Sequence, residues 1–170
     1  MTVSRSTPRL RLTALLLLGV LALVATTERT AATGIAGLLV QLVGLACIAC
    51  AALGRVWASV FIAGYKDTQL VRGGPYAVLR HPLYALSLLA MLGAGLTTRS
   101  VTLTAALLVV FAAVYARAAL EEDRFLRSAH GDAFDRYARE VNAFLPRWSA
   151  YTVPEAIEVR PRVLWKAFLD

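Results

Sequence analysis

The run from Gly34 to Leu53 constrains the chain most, because it holds no charged residue over 20 positions. A bilayer core needs about 20 apolar residues, range roughly 17–25, and a helix satisfies its own backbone where no water can. The run is therefore expected to cross a membrane. Three further apolar runs accompany it: Leu12 to Thr26, Leu83 to Thr98 and Val101 to Leu120. The first and third are short and need their flanks or a thinned bilayer. The fourth carries Arg117 near its end, where a long side chain can snorkel to the interface. With 58% hydrophobic residues, against roughly 45–50% in ordinary soluble domains, a single soluble globule is not expected. The expectation is an all-α polytopic membrane protein of about four transmembrane helices with a C-terminal amphipathic cap. Residues 1–120 form the transmembrane domain, residues 55–82 a cytoplasmic loop within it, and residues 121–170 the cytoplasmic cap.

The net charge of +7 comes from the first 115 residues, where nine basic side chains face only Glu28 and Asp67. No basic stripe interleaved with aromatics tracks a phosphate backbone, so nucleic acid is not the expected partner. The expected partner is the lipid bilayer. Facing the leader, the second connecting loop and the tail to the cytoplasm puts 16 of the 18 basic residues inside. Both termini are then cytoplasmic, and a prokaryotic inner membrane is the expected location. A rival for the first run is a secretory signal peptide, with three arginines before it and small residues near Ala25. Its cleavage leaves three helices and the same inside face for the tail. Cys47 and Cys50 form a CxxC within the most apolar run, where small buried residues fit better than a zinc ligand set or a redox pair.

Two stretches carry polar chemistry. In the loop, Gly73-Gly74-Pro75 predicts a chain reversal. Pro82 opens the third apolar helix and leaves the amides of Leu83 and Tyr84 free at a positive helix end, a ready site for a carboxylate or phosphate. Arg80 and His81 stand just before it. Taken singly, these residues read as a snorkelling arginine, a helix-capping histidine and an interfacial aromatic belt of Tyr76 and Tyr84. Clustered within nine positions they suggest a site. After the fourth run, Arg117 and Glu121 lie at i and i+4, followed by Glu122 and Asp123. An ordinary ion pair on a solvated helix exit is the alternative there. Beyond, Gly131 is expected to break the helix and Asp132 to cap a second one bearing Phe134, Tyr137 and Val141. These pieces, with Phe144-Leu145-Pro146-Arg147-Trp148, read as a lid on the membrane face. No GxGxxG, GxxxxGKS or HExxH motif occurs, and no metal ligand set is expected.

The combination resembles the isoprenylcysteine carboxyl methyltransferase family, which includes phospholipid methyltransferase relatives. It rests on Leu70-Val71 leading to Gly74-Pro75-Tyr76, then Arg80-His81-Pro82-Leu83-Tyr84, an acidic pair after the last helix, Gly131 to Tyr137, and Phe144-Leu145-Pro146. The match covers about residues 35 to 148. It implies a small membrane enzyme that binds S-adenosylmethionine between the membrane face and its C-terminal segment. By that resemblance Thr68, Gln69, Leu70, Val71, Tyr76, His81, Pro82, Leu83 and Tyr84 line the cofactor site. Glu121 or Glu122 completes it; spacing to Gly131 leaves Glu122-Asp123 open as the acidic pair. Arg117 is the implied catalytic residue, facing the substrate carboxylate.

Methyl transfer from a sulfonium to an anion needs positioning in a desolvated site more than acid–base work. The expected acceptor is a lipophilic small molecule or lipidated substrate carrying a carboxylate, with an amine as the alternative. Two other classes compete. One is an NADPH-dependent membrane reductase related to sterol reductases, which share an R-H-P-x-Y-like region. The other is a non-catalytic membrane module, for example one holding haem through His81 and His130, which lie in separate segments.

Overall fold

The structure, a computed structural model, describes residue 19 and residues 34–62 and 70–152. Within these residues it is all helical. In chain order the elements are α1 (Gly34–Ile62), α2 (Pro75–Val78), α3 (Pro82–Thr98), α4 (Val101–His130), α5 (Asp132–Glu140) and a 3-10 turn at Trp148–Ala150.

Helices α1 and α4 are long and apolar enough to cross a membrane. At 1.5 Å rise their 29 and 30 residues span ~44 Å, well beyond a ~30 Å hydrocarbon core. The 17 residues of α3 reach only ~25 Å. Two candidate spans and a third, shorter apolar helix are thus present. The run Leu12 to Thr26 lies outside the described residues apart from Gly19, so the expected count of four is not reached on these residues.

Two boundaries differ from expectation. Helix α1 continues through Arg55 to Ile62, since Val56 to Phe61 contains neither glycine nor proline to stop it. Residues 55–62, expected as the start of the loop, are therefore part of α1. Asp132 does not cap α5; Gly131 does, at φ 52°. Its amide bonds the Arg127 carbonyl to close α4, and its own carbonyl accepts from Phe134 and Asp135 to open α5. One glycine in a positive-φ conformation serves both helix ends, as few other residues could.

Helix α3 lies between α1 and α4 and packs on both. Its antiparallel crossing with α1 is a contact of bare backbones. A Cβ on Gly93 would meet the Gly44 carbonyl at 2.6 Å, and one on Gly44 would meet the Gly93 carbonyl at 2.7 Å. Small residues at such crossings let helices approach where lipid offers no hydrophobic drive between them. Further along, Gln41 donates to the Thr97 carbonyl at 3.2 Å. At the α3–α4 hairpin Arg99 adopts left-handed φ 58°, and the Ser100 hydroxyl caps α4 by accepting from the Leu103 amide at 3.2 Å. The outer face of α1 leaves Ile35, Leu38, Leu39, Leu42, Val43 and Leu45 exposed, as a surface meeting hydrocarbon does.

Candidate functional site

The site forms where the α2 turn, the start of α3, the outer part of α4 and the C-terminal segment meet. Gly74 makes the turn at φ 59° with Phe61 packed directly against it, leaving no room for a Cβ. Pro75 then starts the single turn of α2, all four residues of which are buried. Its end is held by the C-terminal segment: Arg80 and His81 donate their amides to the Asn142 and Ala143 carbonyls at 2.9 and 3.3 Å, and Arg147 donates to Val78 at 3.0 Å. The Thr152 carbonyl accepts from Gly74 at 2.9 Å. The expected lid is thus a strap bonded along the loop, while Leu145 and Trp148 remain exposed on it.

Below the strap, Phe134 and Tyr137 of α5 and Val141 just past its end form a small core that Leu70 joins. The Tyr137 hydroxyl donates to the Tyr76 carbonyl at 2.8 Å, tying the cap to the turn. Burial pushes the phenols of Tyr137 and Tyr76 well above the usual tyrosine range, with Glu122 adding to the effect on both.

His81 is the centre of the site. Its backbone is fixed by the strap and its ring is almost wholly buried, stacked on Tyr84 at 5.7 Å and tilted against Phe144 at 5.8 Å. Both ring nitrogens face carboxylates of α4: Nε2 lies 3.0 Å from Asp123 Oδ1 and Nδ1 3.6 Å from Glu122 Oε2. Arg80 reaches Asp123 from the other side at 3.5 Å. Tyr84 stacks on Tyr115 of α4 at 5.5 Å, and burial, together with Glu122, pushes the Tyr84 phenol above the usual tyrosine range. Tyr115, Glu122 and Asp123 come together because positions seven and eight apart on a helix share a face.

Of the residues expected to bind a cofactor, Tyr76, His81, Pro82, Leu83, Tyr84 and Glu122 are thus brought to one corner. Leu70 lies in the cap core beside it, and Val71 is half-buried next to Leu70. Thr68 and Gln69 lie outside the described residues. Arg117 and Glu121 sit on the exposed side of α4, each two residues from the buried Ala119, which shares its face with Tyr115 four residues earlier. They share a face with each other and not with His81. The acid that contacts His81 at 3.0 Å is Asp123, the member of the alternative pair that spacing to Gly131 left open. Tyr115 and Phe144 were not singled out as site residues; Tyr115 could have been found from its seven-residue spacing to Glu122, whereas nothing local marks Phe144.

Two features of the corner offer hydrogen-bonding groups to a ligand. Among the described residues, the first-turn amides of Leu83 and Tyr84 have no hydrogen-bond acceptor. The hydroxyl of Tyr76, a residue only 7% exposed, is buried without a partner. Leaving such a group unsatisfied costs roughly 1–3 kcal/mol, and this one lies in the field of Glu122 and Tyr84.

The sequence model of the phospholipid methyltransferase family matches residues 31–133, more than half of the chain. That stretch contains the turn, α3 and the acidic exit of α4. Among curated proteins the chain is 46% identical over 101 residues to the cobalt-zinc-cadmium resistance protein CzcN of Cupriavidus metallidurans, covering 59% of this chain and 46% of that protein. It is 43% identical over 101 residues to the nickel-cobalt-cadmium resistance protein NccN of Alcaligenes xylosoxydans xylosoxydans, covering 59% of this chain and 47% of that one. The chain therefore spans about half the length of the curated relatives it matches. No solved structure matches it.

Proposed function

The chain belongs to the phospholipid methyltransferase family, and on that footing we propose that it is a membrane methyltransferase that uses S-adenosylmethionine to methylate a lipophilic acceptor. The observation that carries the reading is the convergence of unsatisfied donors on one buried corner beside an acid: the Tyr76 hydroxyl, the Leu83 and Tyr84 amides, and Glu122.

The donor set fits the cofactor. Two free amides at a helix start suit its carboxylate, and Glu122 suits its ammonium or ribose hydroxyls. The buried Tyr76 hydroxyl offers one more donor or acceptor to the polar groups of an adenosine. When bound, S-adenosylmethionine supplies an electrophilic methyl group on a positively charged sulfur. The chain's own residues hold and shield that group. The stacked rings of Tyr84, Tyr115, His81 and Phe144 form a wall that excludes water and offers π faces to a cation. Asp123 and Glu122 fix the His81 ring from both sides, and the strap fixes its backbone. Preorganisation of this kind lowers a barrier by positioning rather than by proton transfer. The acceptor is read as a membrane-borne carboxylate entering from the bilayer, with both chain termini on the cytoplasmic side.

Calorimetric titration of the detergent-solubilised chain with S-adenosylhomocysteine, using NADPH as comparator, tests the reading. Saturable binding of the homocysteine product that weakens in Glu122→Gln is expected. Binding of NADPH in its place would move the assignment to a reductase.

A further inference from the structure

An arginine on α1 points the wrong way for a snorkelling side chain. Arg55 lies two positions beyond the uncharged run, in the part of α1 that packs against the start of α3. The helices are antiparallel, with Gly54 against Leu86 and Gly44 against Gly93, so Arg55 stands level with residues 82–85. Its guanidinium nevertheless reaches Ser87, donating from Nη1 to the hydroxyl oxygen at 2.6 Å. Ser87 is at least two residues, ~3 Å, further into the apolar length of α3. A snorkelling arginine would extend toward the Ile62 end instead.

Ser87 fixes this direction. Its hydroxyl donates to the Leu83 carbonyl at 2.8 Å, which leaves the oxygen as an acceptor for Arg55. The hydroxyl is neutral and cannot balance the guanidinium charge. Among the described residues no carboxylate lies within 4.0 Å of Arg55, and its side chain is exposed, with four of five N–H donors uncommitted there. A permanent cation turned along the apolar length of α3, with no carboxylate beside it among the described residues, suits an anion carried in the membrane. Its neighbour supplies the context: Ser87 and Tyr84 are three apart on α3 and share a face, which places the tether one turn from the His81 corner.

We propose that Arg55, tethered by Ser87, holds the anionic phosphate or carboxylate of the membrane-borne acceptor at the seam between α1 and α3. This assignment rests on the methyltransferase reading and gives the acceptor-binding role to Arg55 in place of Arg117, which lies on the opposite side of α4 from the corner. Arg55 is a binding residue; Ser87 is a positioning residue.

Native mass spectrometry of the detergent-solubilised full chain tests this with matched pairs. Phosphatidic acid is compared with diacylglycerol, and oleate with methyl oleate, so that each pair differs in the anion alone. The native chain is expected to prefer at least one anion over its neutral counterpart by about tenfold or more, and the stronger pair identifies phosphate or carboxylate. Arg55→Gln is expected to abolish the preference, Arg55→Lys to retain part of it, and Ser87→Ala to weaken it. Affinity for S-adenosylhomocysteine should stay within about threefold in all three variants, which also reports that they fold. A native chain with no preference, or Arg55→Gln with the native preference, overturns the proposal. If the homocysteine product fails to bind the native chain while the anion preference depends on Arg55, the anion site stands and the cofactor reading falls.

Discussion

Replacing Asp123 by Ala should separate the acid that supports the site from those that merely neighbour it. Asp123 faces two groups at once with its two carboxylate oxygens: His81 Nε2 at 3.0 Å and Arg80 Nη2 at 3.5 Å, with its own side chain 17% exposed. The substitution leaves a nitrogen of a nearly buried ring without its partner, which costs roughly 1–3 kcal/mol. Little of that is recovered by water, because Tyr84 and Phe144 cover the ring. If the ring lines the cofactor site, most of the loss appears as weaker binding, about 5- to 150-fold in Kd. Glu121→Gln is the matched control, since Glu121 is exposed on the other side of α4, and its effect should stay within ~0.5 kcal/mol. Titration of both variants with S-adenosylhomocysteine, alongside circular dichroism to confirm helix content, measures the contrast. Equal losses in the two variants, or loss in Glu121→Gln alone, would refute the geometry on which the site is built.

Gly93→Leu should lower the melting temperature in detergent by several degrees, because a side chain there meets the Gly44 carbonyl and Ile48 and overpacking costs about 1–3 kcal/mol; an unchanged melt would deny the close crossing. Tyr137→Phe removes one buried hydrogen bond to the Tyr76 carbonyl, worth about 1 kcal/mol. Faster limited proteolysis within α5 is the expected readout. Stability should also fall at high pH. The folded-state pKa values of Tyr76 and Tyr137 are raised by burial, so above pH ~10 the unfolded chain loses protons that the folded one keeps. Each phenol then contributes a decline of about 1.4 kcal/mol per pH unit. Thermal melts from pH 8 to 11 test the sign, and a transition that rises over that range would contradict it.

The membrane helices were legible because an uncharged run of 20 residues has few other uses, and Gly44 and Gly93 were unremarkable until the crossing brought them together. The turn at Gly74 and the helix start at Pro82 were legible for a local reason, since glycine and proline act on their own backbone. The placement of acids on α4 was not. Arg117 and Glu121 at i and i+4 form an obvious pair in sequence, yet which face of a helix meets its neighbour depends on packing. Here Ala119, 3% exposed, sets that face and carries Tyr115, Glu122 and Asp123 with it. The strap was equally hidden, because Asn142 and Ala143 act through carbonyl oxygens that every residue has. In the sequence Arg55 reads as one of the basic residues of a loop; only the helix extension to Ile62 and the bond to Ser87 give it a direction.

Ultraviolet cross-linking of the full chain with methyl-tritiated S-adenosylmethionine, followed by mapping of the labelled peptide, tests the central claim most directly. The account predicts label on the peptides containing Tyr76 to Tyr84 or Tyr115 to Asp123, displaced by excess S-adenosylhomocysteine. Label confined elsewhere, or none that the homocysteine product displaces, would contradict it.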